Sequence, residues 1–220
     1  VVIRFSGDSG DGMQLTGTIF SNLSAIFGNE ISTFPDYPAE VRAPQGTLSG
    51  VSGFQVHLGS RKIFTPGDKE GVLVAMNVKH IKPNAIVIID TDSFKKSDLD
   101  KALFTTDDPF KELGLNSVQV VAAPISTMVK DGLAEFGLDN KSALRSKNMF
   151  ALGLVCWLFD RPLEEAMHML QNKFAKKPVI AQANIKALTD GYNYGHNIHA
   201  SVSTYRIESK KAEPGFYTDV

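Results

Sequence analysis

The start of the chain passes from an apolar run through a glycine-rich stretch into a helical pattern. Residues 1–5 form a mostly β-branched run that ends at Ser6-Gly7, and apolar side chains then recur at helical spacing between Ile19 and Phe27. Gly28 follows this pattern, and glycine commonly ends a helix because it adopts the left-handed conformation freely. The chain is therefore predicted to open with a strand, a glycine loop and a helix.

Three later segments are almost entirely apolar, which is typical of strands that are covered on both faces of a parallel sheet. They are residues 72–76, 85–90 and 118–122. Residues 50–58 instead alternate between two faces, which predicts a half-buried strand. We expect this strand to form an antiparallel hairpin with residues 61–65.

The last third of the chain has the period of helices. A short helix is predicted over residues 126–136 and a long one over 142–159, whose second half is apolar all round and is expected to be buried. Two more helical patterns cover residues 163–174 and the stretch after Pro178. Strands that alternate with helices indicate the α/β class. We expect a Rossmann-like three-layer domain, with a mostly parallel sheet, an antiparallel hairpin and a C-terminal helical layer.

The charge balance excludes several classes of partner. The 220 residues carry 23 Lys and Arg against 24 Asp and Glu, a formal charge of -1. Such a chain has no overall field that attracts nucleic acid or an anionic membrane surface. Its longest apolar run covers residues 149–159, whereas a membrane span needs about 20 residues. We therefore expect neither nucleic acid nor a membrane among its main partners.

The reactive side chains give little sign of catalysis. Cys156 is the one cysteine of the chain, so it can form neither an internal disulfide nor a CxxC pair, and a reducing cytoplasm is the expected location. Since it lies on the predicted buried helix, we interpret it as a core residue. The five histidines lack metal-ligand spacing except His196 and His199, which we expect to be solvated. No metal site is predicted.

The glycine loop has the position of a phosphate-binding loop but not its pattern. Its spacing from Gly7 to Gly12 is GxxGxG, and Asp8 and Asp11 place carboxylates where a pyrophosphate needs to approach. A conventional dinucleotide site is therefore disfavoured, and a helix-capping role for the aspartates is the alternative. The Gly-Asp-Gly triplet at 10–12 also resembles the start of a thiamine diphosphate and Mg²⁺ site, but residues 37–42 lack the Asn that completes it.

A long loop, residues 34–46, combines prolines and glycine with an aromatic side chain, two acids and Arg42. Loops of this kind often carry function. Arg42 is thus a candidate to pair with an anionic group of a ligand, and a local surface pair with Glu40 or Asp36 is the alternative.

Two asparagines lie on helices that are otherwise apolar. Asn148 lies within the helix predicted over residues 142–159, and Asn184 lies in the last one. Because buried amides need hydrogen-bond partners, we expect both to be buried and bonded, joining two helices or a loop to the sheet.

Taken together, several segments resemble the gamma domain of 2-oxoacid:ferredoxin (acceptor) oxidoreductases. They are Ser6 to Gln14, Pro38 to Arg42 and Lys147 to Gly153, with Asn184 and Gly191-Tyr192 in agreement. The form of the glycine loop looks like that of large alpha subunits in which the gamma domain is fused ahead of the thiamine pyrimidine-binding domain. The resemblance therefore implies the N-terminal part of a fused alpha subunit and favours the 2-oxoglutarate type. The resemblance implies a gamma domain over residues 1–198 and, over 199–220, a linker toward a thiamine pyrimidine-binding domain.

The family's activity is the oxidative decarboxylation of a 2-oxoacid, with coenzyme A, to acyl-CoA, CO₂ and reduced ferredoxin. The resemblance implies that thiamine diphosphate, Mg²⁺ and an iron-sulfur cluster belong to partner alpha and beta domains or subunits, and that ferredoxin is reached through the complex. It implies no catalytic residue in this chain. The candidate binding or interface residues, on the coenzyme A side, are Gly7, Asp8, Gly10, Asp11, Gly12 and Arg42. A stand-alone nucleotide- or flavin-binding protein and a purely structural interaction domain stay as alternatives.

Overall fold

The fold is seen in a computed structural model that describes residues 1–8, 12–37, 51–65, 67, 70–74, 81–93, 96, 104–106, 108–112, 117–198 and 207. The strands are β1 Val2–Asp8, β2 Glu30–Asp36, β3 Val51–Gly59, β4 Glu70–Val74, β5 Ile81–Asp90 and β6 Gln119–Ala123. The helices are α1 Met13–Ile26, α2 Pro109–Glu112, α3 Ile125–Gly132, α4 Asn140–Leu144, α5 Lys147–Leu158, α6 Glu164–Lys173 and α7 Pro178–Ile198. Single 3₁₀ turns lie at Thr91–Ser93 and Ala134–Phe136.

The six strands form one mixed sheet in the order β2-β3-β1-β4-β5-β6. Strand β1 joins its two halves, because Ile3 lies opposite Val56 of antiparallel β3 on one side and opposite Val72 of parallel β4 on the other. Strands β4, β5 and β6 continue in parallel. The predicted α/β class and the parallel core sheet are confirmed.

The predicted partner of the antiparallel hairpin is wrong. Strand β3 pairs with β2 on one side and with β1 on the other, so neither of its edges is free for residues 61–65. Those residues form no strand. They fold back instead, and Thr65 O lies 2.8 Å from Nδ1 of His57 on β3.

Helices α1 and α5 bury the larger core against one face of the sheet. Their contact is aromatic: the ring of Phe20 lies 5.9 Å from that of Phe5 on β1 and 5.6 Å from that of Phe159, just after α5. A smaller cluster, with Leu73 and Val87 at its centre, is buried on the other side. None of the described helices is long and apolar enough to cross a bilayer.

The long helix predicted over residues 142–159 is divided into α4 and α5. Asp139 caps α4 by accepting a 2.8 Å hydrogen bond from Ser142 N, and bonds from Ser142 lower the pKa of its carboxyl group. The helix ends at Leu144, and Ser146 N closes a tight turn onto Ala143 O. The break lets α5 enter the core, where Asn148 and every residue after it up to Leu158 are buried.

Helices α5 and α7 cross with their backbones in contact. A Cβ atom on Gly153 would overlap the carbonyl oxygen of Leu188, and one on Gly191 would overlap that of Phe150. Both glycines are therefore required by space, since each leaves room for the main chain of the other helix.

We predict that Gly153→Ala lowers the free energy of unfolding by about 1–3 kcal/mol, because the two helices have to move apart. This loss exceeds the gain of about 1 kcal/mol that alanine brings through helix propensity. Urea unfolding measures the effect. The exposed Glu165→Ala on α6 serves as a control and should stay within about 0.5 kcal/mol of the parent. A more stable Gly153→Ala variant would show that the backbones are not in contact.

A buried cation links the ends of α1 and α5. Arg161 is 1% exposed, its Nη2 donates to Oδ1 of Asn29, and its guanidinium group lies 4.2 Å from the ring centroid of Phe27. Within the described part of the chain its Nε has no hydrogen-bond partner. Burial lowers the pKa of Arg161. The contacts of the guanidinium group are thus one neutral amide and one aromatic ring, and the nearby Asp160 carboxylate opposes the fall in its pKa.

We therefore predict that removing the amide of Asn29 lowers the free energy of unfolding more than removing the charge of Arg161. Asn29→Ala leaves the buried guanidinium without its partner and should lower the free energy of unfolding by about 1.5–3 kcal/mol. Arg161→Met fills similar space without a charge and should change it by less than about 1 kcal/mol. Urea unfolding of both variants tests this order. The reverse order would mean that the charge itself stabilises the fold.

Candidate functional site

The site begins where β1 ends and α1 starts. Gly7 and Asp8 close β1, and Gly12 is the N-terminal cap of α1. This is the carboxyl end of β1, the strand that lies between the antiparallel and the parallel halves of the sheet. In α/β folds a binding crevice usually lies at such a point. Gly10, Asp11 and Arg42 lie outside the described residues.

Gly12 is held in a conformation and a space that favour glycine. Its φ is 76°, in the left-handed region, and a Cβ atom there would overlap Nδ2 of Asn148. Its carbonyl oxygen accepts bonds from Thr16 N at 3.0 Å, Thr16 Oγ1 at 3.1 Å and Asn148 Nδ2 at 3.4 Å. Gly12 thus brings the first turns of α1 and α5 together.

The first turn of α1 is also tied to the antiparallel half of the sheet by Gln14. Its Nε2 lies 2.7 Å from Gly53 O and 3.2 Å from both Ser52 Oγ and Asp36 O. Gln14 ends the Ser6 to Gln14 segment of the resemblance, which implies no role for its side chain. Its contacts are with residues far along the chain, so local pattern carries no signal for them.

The two asparagines differ in what they join. Asn148 is buried and bonded, as predicted, but its bond links α5 to Gly12 and not to the helix of Asn184, and within the described residues its Oδ1 has no hydrogen-bond partner. Asn184 is buried and bonded as well. Its Nδ2 donates to Ile180 O of its own helix, so the predicted link to another element is wrong for Asn184.

The N-terminus of α3, on the same edge of the sheet, is capped by side chains of this domain. At the N-terminus of α3, Ser126 Oγ donates to Asp90 at 2.5 Å and Thr127 N donates to Asp92 at 2.7 Å. The first turns of α1 and α5 contain no acidic residue. The positive ends of these two helices are therefore better placed to meet a group from outside the domain.

Three comparisons with known proteins agree with this geometry. The model of the pyruvate ferredoxin/flavodoxin oxidoreductase family matches residues 2–194. The chain is 44% identical to the 2-oxoglutarate oxidoreductase subunit KorA of Mycobacterium tuberculosis over 100% of its own length and 35% of the relative. The chain thus spans about a third of that protein.

Solved structures share the fold. A 2-oxoglutarate:ferredoxin oxidoreductase from Magnetococcus marinus, with 2-oxoglutarate, coenzyme A and succinyl-CoA bound, matches with a TM-score of 0.71 and 26% identity, over 96% of this chain and 33% of that one. The gamma subunit of a keto/oxoacid ferredoxin oxidoreductase from Geobacter sulfurreducens has a TM-score of 0.58 and 21% identity, over 89% of this chain and 98% of that one. The latter supports the fold alone.

Residues for metal or nucleophilic chemistry are not assembled in the described part of the chain. No group of three or more His, Cys, Asp or Glu there could hold a metal ion. His196 packs edge-on against the ring of Tyr192, with 5.0 Å between centroids, and His199 lies outside the described residues. Cys156 is fully buried, as predicted, and burial raises the pKa of its thiol to about 12.

Cys156 is therefore predicted to be unreactive in the folded chain. At pH 8.5 a thiol with a pKa of about 12 stays protonated, and only the thiolate attacks an alkylating agent. Mass spectrometry after iodoacetamide treatment should show no addition to the native protein and one addition in 8 M urea. Rapid alkylation of the native protein would contradict the buried position of α5.

Proposed function

Because the chain belongs to the pyruvate ferredoxin/flavodoxin oxidoreductase family, we propose that it is the gamma domain of a multi-subunit cytoplasmic 2-oxoacid:ferredoxin oxidoreductase. This enzyme converts a 2-oxoacid and coenzyme A to acyl-CoA and CO₂, and the two electrons released pass to ferredoxin. The observation that carries the proposal is the 44% identity to a 2-oxoglutarate oxidoreductase subunit along the whole chain. The same relative favours 2-oxoglutarate over pyruvate as the substrate.

The redox and decarboxylation chemistry belongs to partner domains or subunits in this proposal. A single buried cysteine cannot ligate an iron-sulfur cluster, which needs several thiolates. Residues 37–42 contain no Asn to complete a thiamine diphosphate and Mg²⁺ site beside Asp11. The residues present therefore do not fit these groups, and thiamine diphosphate, Mg²⁺ and the cluster are assigned to the alpha and beta partners.

Coenzyme A is the group that this chain's own residues fit. The first turns of α1 and α5 meet at Gly12, where their N–H groups favour an acceptor and the unpartnered Oδ1 of Asn148 favours a donor. Coenzyme A supplies the thiol that takes the acyl group. In the proposed site the residues on its side are Gly7, Asp8, Gly10, Asp11, Gly12 and Arg42.

Each kind of side chain has a distinct task there. Asp8 and Asp11 accept hydrogen bonds from N–H groups of the ligand or of an adjoining subunit, because carboxylates repel phosphates but accept such bonds strongly. Arg42 pairs with an anionic group. The domain covers residues 1–198, to the end of α7, and residues 199–220 lead toward the thiamine pyrimidine-binding domain.

We predict activity from the complete enzyme and none from this chain alone. The chain, restored to its full-length subunit and combined with its beta subunit, should reduce methyl viologen only when a 2-oxoacid and coenzyme A are both present. The kcat/KM for 2-oxoglutarate should exceed that for pyruvate by about tenfold or more, a difference of about 1.4 kcal/mol. The 220-residue chain with thiamine diphosphate added is the control.

Two results would contradict this proposal. Turnover by the isolated chain would place the chemistry within it. A flavin or nucleotide that copurifies with it stoichiometrically, seen by absorbance or mass spectrometry, would favour a stand-alone cofactor-binding protein.

A further inference from the structure

The carboxamide of Asn148 lies where the first turns of α1 and α5 meet. Its Nδ2 is 3.4 Å from Gly12 O, the last acceptor before α1. Its Oδ1 is buried, and among the described residues no donor reaches it. The residue is 4% exposed, so solvent does not take the donor's place.

Packing alone does not account for this side chain. The next residues of α5, Met149 and Phe150, are fully buried apolar side chains. A buried acceptor without a donor lowers stability, and an apolar side chain of the same shape avoids that loss. Leucine has this shape. The amide is therefore better explained by a partner from outside the domain.

The junction selects the chemistry of that partner. Helix α1 starts at Gly12, which has no side chain to cap it, and no side-chain cap is seen at Ser146 before α5. First-turn N–H groups thus offer donors, and Oδ1 of Asn148 offers an acceptor beside them. A phosphate or carboxylate would place acceptor oxygens next to Oδ1, which is itself an acceptor, and the two would repel each other. A ligand with two secondary amides complements both the donors and Oδ1, because the N–H of one amide and the carbonyl of the other can face the same side.

We propose that Asn148 is a binding residue for an amide of the pantetheine arm of coenzyme A. Its Oδ1 accepts the N–H of one amide, and first-turn N–H groups of α1 donate to the carbonyl of the other amide. This inference rests on the proposed function, from which coenzyme A is taken.

The test uses the assembled enzyme with Asn148→Leu and, as a matched control, Asn184→Leu, which removes a similarly buried amide from α7. KM is measured for coenzyme A and for 3′-dephospho-coenzyme A, which carries the same two amides. Asn148→Leu should raise both KM values by the same factor, about three- to tenfold, as expected for one lost hydrogen bond. Its melting temperature should stay equal or rise. Asn184→Leu should leave both KM values unchanged.

A second variant covers the case in which Asn148→Leu does not assemble. Asn148→Ala removes the same amide without adding bulk or charge, and it should raise the KM for coenzyme A and for the dephospho analogue by the same factor, about three- to tenfold. Unchanged KM values in an assembled Asn148→Ala enzyme would overturn the proposal.

Other outcomes also overturn it. Unchanged KM values in Asn148→Leu would assign the amide to the fold. A larger KM increase for coenzyme A than for the dephospho analogue would assign the junction to a phosphate. Weaker subunit association with unchanged KM values would assign it to a peptide group of a partner. In each case the parent enzyme still uses coenzyme A, whereas a parent that does not use it contradicts the proposed function itself.

Discussion

The contact between the backbones of α5 and α7 is the constraint on which the other features depend. Helix α5 is apolar on all sides, so it has no solvated face and is held only by close packing. Gly153 and Gly191 fix its height and rotation against α7, because each accepts the main chain of the other helix where a methyl group would not fit. Asn148 lies in the first turn of α5 and Arg161 follows its end, so the same crossing places both polar contacts.

The helix N-termini at the carboxyl edge of the sheet differ in the charge of the side chains around them. At α3, Asp90 and Asp92 satisfy the helix start with the chain's own carboxylates. At α1 the corresponding place is taken by Gly12, and the two side chains that donate to its carbonyl oxygen, those of Thr16 and Asn148, are neutral. A domain that needed both helix starts only for its own stability would be expected to cap both in the same way. The difference separates a structural helix start from one that can receive a ligand.

The pattern of apolar and glycine residues predicted strands and helices whose formation depends mainly on neighbouring residues. The apolar run at 85–90 predicted β5, and the Gly7 to Gly12 stretch predicted the turn from β1 into α1. The predicted partner of β3, residues 61–65, was wrong. The short connection at residues 59–60 suggested a hairpin, but both edges of β3 pair with strands that are more distant in sequence, β1 and β2.

The polar contacts of the site were harder to predict than its position. The bond from Arg161 to Asn29 and the contacts of Gln14 join residues that are remote in sequence, and no periodicity encodes such pairs. Burial of Asn148 followed from the apolar helix around it. The absence of a partner for its Oδ1 among the described residues could not be predicted, because it depends on where Gly12 lies in three dimensions.

The position of β1 in the sheet also governs the order in which the domain can be completed during synthesis. Ile3 comes well before its neighbours across the sheet, Val56 and Val72, along the chain. The central strand therefore waits, unpaired, until both have been translated. The helical core closes later still, when Gly191 reaches α5. Until Val72 has been translated, the apolar strand β1 lacks one of its pairing partners, and such unpaired strand edges favour aggregation.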